Sequence, residues 1–93
     1  MSLEALVVKY ITSAETVVKE MQRTKGSINV DEDCVDNILG YVEAYLEDAK
    51  YYKAHGKFET SLTSVAYCEG LLDALRLLGA VKFEWPAKVE RKK

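Results

Sequence analysis

At 93 residues the chain can hold one hydrophobic core and is too short for two, since domains run from about 50 to 200 residues. Its 48% apolar and 30% charged residues give the balance of a folded globular protein rather than a disordered one, and apolar runs such as Leu77 to Val81 fall far short of the roughly 20 residues a membrane-spanning helix needs. A net charge of −2 argues against a body built to bind polyanions without selectivity.

Leu3, Val7, Tyr10, Ile11, Ala14, Val17, Val18 and Met21 recur at three- and four-residue steps, which predicts a first amphipathic helix with Glu4, Lys9, Glu15, Lys19 and Glu20 on its other faces. The start of the chain, with Glu4 and no basic stretch ahead of a small-residue cleavage site, does not read as a signal peptide, so a cytoplasmic location is expected. Turn formers from Thr24 to Asn29 end the pattern. Asp31, Glu32 and Asp33 then supply the negative charge that favours a helix N-terminus.

The second helix carries the stripe Val35, Ile38, Leu39, Val42, Tyr45, Leu46, Ala49 and Tyr52, and no proline stops it before Gly56. Phe58, Leu62, Val65, Ala66, Leu72 and Leu75 predict a third helix running to Gly79, where glycine can adopt the left-handed cap. After it, Val81, Phe83 and Trp85 alternate with Lys82 and Glu84, and Pro86 biases Trp85 toward extended backbone. The expected fold is therefore all-α: an antiparallel up-down-up three-helix bundle with a short extended C-terminal strap. Residues 1–86 form a single helical domain in this reading, and 87–93 a basic tail expected to be disordered.

If the second and third helices fold back about Gly56, Cys68 lies level with about Tyr45, and Cys34 is on the order of 15 Å away along the axis. A disulfide needs Cα atoms within about 7 Å, so both thiols are expected to be free. One histidine, no C-x-x-C and no H-E-x-x-H leave no metal-ligand set, and no cofactor is implied. His55 sits at the end of the second helix facing the negative end of its dipole, and Gly56 turns the chain. With Lys53 and Lys57 it forms a small positive cluster that could contact an anion.

In the third helix Glu69, Asp73 and Arg76 fall on one narrow face and interrupt its apolar stripe, either as a marginal charge network or as a partly buried acidic site. Tyr41, Tyr45, Tyr51, Tyr52 and Tyr67 lie at helical spacing, which suits core or half-core positions better than a stacking platform.

The segment from Ala44 to Gly79 resembles an archaeal family known as a domain of unknown function, DUF number 357. The resemblance rests on Asp48, Ala49, Tyr51 and Tyr52, on Gly56 and Phe58, and on Ala66, Tyr67, Gly70, Leu72, Asp73, Ala74, Leu78 and Gly79. It implies a small helical bundle, sometimes appended to a larger enzyme in archaea, and brings no catalytic residue. The same segment is similar to a tetratricopeptide hairpin at its turn, where Phe58 is expected to pack back across Gly56. Ser61 replaces the alanine of that pattern, and no second copy follows at a 34-residue period, so no repeat array is implied.

Three functional readings follow. The leading one is a noncatalytic interaction or accessory module, binding a protein partner or itself as a homodimer through the exposed part of the third helix and the Phe83 and Trp85 strap. A second is a nucleic-acid- or nucleotide-associated domain using the hairpin-tip lysines and the basic tail. A third is a small enzyme with an acidic site around Asp73, with Glu69 and His55.

Overall fold

The computed structural model describes residues 2–86, so the basic tail lies outside the described residues. Three helices follow one another: α1 (Leu3–Glu20), α2 (Glu32–Ala54) and α3 (Phe58–Leu77). No strand occurs among the described residues, and the all-α, three-helix class holds. No helix among them is long and apolar enough to cross a membrane.

The first two helices start where the sequence supplies a side-chain cap, whereas α3 starts at Lys57 without one. The Ser2 hydroxyl accepts from the Ala5 N–H at 3.0 Å, and the Asp31 carboxylate accepts from the Cys34 N–H at 2.9 Å. That bond holds the Asp31 carboxyl below its ordinary value. Its contribution to α2 is therefore present at neutral pH and is lost as pH falls through the lowered folded-state value.

Both later helices end in the same closed turn. At the end of α2 the Lys57 N–H donates to the Tyr52 carbonyl at 2.8 Å and the Gly56 N–H to the Lys53 carbonyl at 3.1 Å, with Gly56 at φ +74°. At the end of α3, Ala80 donates to Leu75 and Gly79 to Arg76, with Gly79 at φ +81°. These are Schellman caps, and each needs a residue that tolerates the left-handed region.

The first cap reverses the chain so that α3 runs back along α2, and helix-to-helix packing is confined to that pair. Among the buried or half-buried positions, those at the centre of the contact are Val35, Ile38, Val42, Tyr45, Ala49 and Tyr52 on α2 and Ser61, Val65, Cys68, Leu72 and Leu75 on α3, with Leu39, Ser64, Glu69, Leu71 and Asp73 half-buried beside them. Both sets alternate steps of three and four, the spacing of an antiparallel coiled-coil seam. Near the turn the seam is narrow, for the Ser61 hydroxyl donates to the Ala49 carbonyl at 2.7 Å. Further along, the Tyr45 and Tyr67 rings meet edge to face at 4.5 Å, which sets Cys68 level with Tyr45 as the sequence predicts.

Two expectations are corrected here. Phe58 does not pack back across the turn; it is 67% exposed, and Leu62 is 68% exposed. The seam passes instead through Ser61 and Cys68, about 80° around the helix from Phe58, so the two apolar side chains point outward. Nor does α1 join the packing: no Cα of α1 comes within 8 Å of α2 or α3, and none of its residues is buried. The radius of gyration is accordingly 16.1 Å, against about 12 Å for a compact chain of this length.

The cap geometry separates two glycines. Gly56→Ala forces an L side chain into the left-handed region and is expected to cost about 1–2 kcal/mol. Gly70→Ala, inside α3 with open space around an added Cβ, is expected to be neutral or stabilising by up to about 1 kcal/mol. Urea midpoints of the two variants against the parent check both.

Candidate functional site

Four of the five residues singled out on α3 and the strap come together. Past the Gly79 cap, Val81, Phe83 and Trp85 are half-buried while Lys82, Glu84 and Pro86 face solvent, so the strap lays one side on the helix pair. The Trp85 indole Nε1–H donates to Asp73 Oδ1 at 2.8 Å. Arg76 Nη2 reaches the same oxygen at 3.5 Å, and its guanidinium lies 5.3 Å from the centre of the Phe83 ring. Phe83 and Trp85 meet edge to face at 5.0 Å. The result is a clasp in which one carboxylate fixes the strap.

The energetic weight of the clasp rests on the indole bond. Asp73 and Arg76 are 45% and 42% exposed at their side chains, so their ion pair is a weak, screened one. The indole bond is shorter, part-buried, and joins residues twelve apart. Glu69 stands one turn from Asp73, half-buried and outside the clasp. Its charge bears on its neighbour: burial first, and then the Glu69 carboxylate, push the Cys68 thiol up. Cys34 is exposed and Cys68 buried, and both are free.

At the hairpin tip, His55 closes α2. Its Nδ1 lies 2.8 Å from the Tyr51 carbonyl, and its ring lies 4.1 Å from that of Tyr51, centre to centre. The histidine is thus held as part of the cap, facing the carbonyl end of the helix. Lys53 and Lys57 are exposed beside it. Among the described residues no group of three or more His, Cys, Asp and Glu is placed to hold a metal ion.

The larger surface features lie elsewhere. At about 100° per residue, Leu6, Val17, Tyr10, Leu3, Ala14, Val7, Val18 and Ile11 fill one arc of about 140° on α1 without a polar interruption. Along it Tyr10, Val17 and Val18 are 60–66% exposed. A second apolar face runs along the hairpin on the side of the Tyr45–Tyr67 contact, where Tyr41 and Leu78 are exposed and Ile38 and Leu71 half-buried. The periodicity of α1 was legible in the sequence, but not that its face would meet no helix.

A family model described as a protein of unknown function (DUF357) matches residues 9–81. The chain belongs to the DUF357 family. Within this DUF357 chain the match runs from the middle of α1 to the start of the strap; it takes in Asp73 and stops before Phe83 and Trp85. No curated protein and no solved structure matches the chain.

Two outcomes are expected from the clasp and its surroundings. Asp73→Ala removes the acceptor of the chain's only tryptophan, so Trp85 emission should shift to the red with a loss of about 1 kcal/mol, whereas Glu69→Ala leaves the emission in place. In thiol labelling, Cys34 should react at once and Cys68 only as the hairpin opens, giving two phases that merge in denaturant.

Proposed function

We propose that the chain is a noncatalytic helical interaction module, mediating protein–protein contact or self-association through the apolar helix faces it leaves in water. The observation that carries this reading is α1: eighteen residues, a continuous apolar arc, no buried residue and no neighbouring helix. Isolated helices of that length are marginal in water, and most helical stability in proteins comes from packing of the apolar face. A patch of that extent on a soluble chain marks an interaction surface.

The hairpin supports the same reading from its own side. Among the described residues only Val42, Ala49, Cys68 and Leu75 are buried apolar residues, a small core for a chain of this size. The strap aromatics, by contrast, are engaged with Asp73 and Arg76 inside the chain. The docking role thus moves from Phe83 and Trp85 to α1 and the open flank of the hairpin. Cytoplasmic location is part of this proposal, as the setting in which two free thiols persist.

The test is a comparison of assemblies formed in native lysate and by the purified chain. The parent should be recovered bound, to itself or to another protein. The variant carrying Val7→Lys, Ile11→Lys and Val18→Lys should be recovered bare, with the parent's Trp85 emission showing the hairpin intact. A parent that stays a bare monomer in both settings, or binding indifferent to the three lysines, contradicts the proposal.

A further inference from the structure

The width of the α1 face says what shape it fits. A two-stranded coiled coil uses a narrow seam of two positions per heptad; α1 adds Leu6, Ile11 and Val18 to the alternating Leu3, Val7, Tyr10, Ala14 and Val17. An arc of about 140° is that of a helix lying in a groove between two others. Among the described residues, an apolar flank of the α2–α3 hairpin is left in water. One flank of the α2–α3 hairpin is occupied by the strap. On the opposite flank, Tyr41 is one turn from Tyr45, and Tyr67 and Leu71 on α3 are followed by Leu78 at its C-cap. Tyr41 is 54%, Tyr67 52% and Leu78 63% exposed.

The surface area indicates how much cover is missing. The chain exposes 8446 Å², against about 5,400 Å² for a compact protein of its mass. The excess, about 3,000 Å², is more than the roughly 1,000–2,500 Å² that each partner contributes to an obligate homodimer, so an interface of that size can be drawn from it. A single copy carries both complementary parts, a helix without a groove and a groove without a helix, held apart by residues 21–31, which form no helix or strand. A twofold pairing satisfies both parts at once, because what each copy offers the other needs.

Resting on the interaction-module reading above, we propose that the occupant is a second copy: α1 of each chain lies in the tyrosine-lined groove between α2 and α3 of its partner, giving a helix-exchanged dimer. The strap remains on the outer flank of each hairpin, clear of the exchange. Val7→Glu places a charge inside the buried arc and raises the dissociation constant by more than about tenfold, the effect of losing one buried aliphatic side chain.

Sedimentation equilibrium of the full chain, together with a short bismaleimide linking Tyr10→Cys on one copy to Tyr41→Cys on another in a Cys34→Ser background, tests the arrangement. The expected result is about twice the 10.5 kDa chain mass and a covalent heterodimer when the two single variants are mixed. A dimer that yields no α1-to-hairpin link between copies overturns the exchange. A monomer without links, even when one chain carries both cysteines, overturns the second copy as occupant and leaves the module reading standing. A monomer that links within one chain overturns both, since α1 then covers its own groove.

Discussion

The seam between α2 and α3 is the constraint on which the remaining structure depends. Its register is set at one end by the Gly56 cap, which reverses the chain in two residues, and just beyond it by the Ser61 hydroxyl on the Ala49 carbonyl. A small residue on one helix and a short polar one on the other let the two backbones approach there. Further from the turn, larger side chains than Ser61 and Ala49 fill the seam, among them the Tyr45–Tyr67 pair and Leu75. Everything else is attached to this hairpin: the strap on one flank, the tyrosine groove on the other, and α1 at the end of an eleven-residue connection.

The clasp converts a charge that interrupts an apolar stripe into a fastening. A carboxylate on the margin of a helix pair costs little to keep there, being about half exposed, and it can accept a donor that an apolar residue could not. Trp85 supplies that donor along with the largest apolar side chain of the strap. The alternation of Val81, Phe83 and Trp85 places all three on one side, and the Asp73 carboxylate holds that side to α3 through the indole.

Much of the fold was legible in the residues. The helix boundaries follow from Asp31, Gly56 and Gly79, whose chemistry is local: a side-chain acceptor in one case and left-handed backbone in the others. The register follows from the turn and the helical rise alone. What the residues did not disclose was which sector of α3 faces α2. The stripe through Phe58 and Leu62 is the more apolar, but the seam takes Ser61 and Cys68, because the hydroxyl finds a carbonyl across the interface and so costs nothing to bury. Asp73 was recognisable as out of place on its face, whereas its partner twelve residues on was not, since no helical period links them. The lone histidine proved to be what its position suggested, a capping residue.

The apolar arc of α1 fits the same physics as the hairpin and lacks only a counterpart. A helix of that composition holds its shape when a groove covers it, and the groove of matching character lies on the tyrosine flank of the same sequence. The most direct measurement is residue-resolved hydrogen exchange of the α1 amides across a range of protein concentrations, with the α3 amides as internal reference. Cover by a second copy predicts that α1 protection rises steeply with concentration while the α3 amides of the seam, already protected within one chain, change much less. Protection of α1 that is the same at every concentration, high or low, would contradict the account.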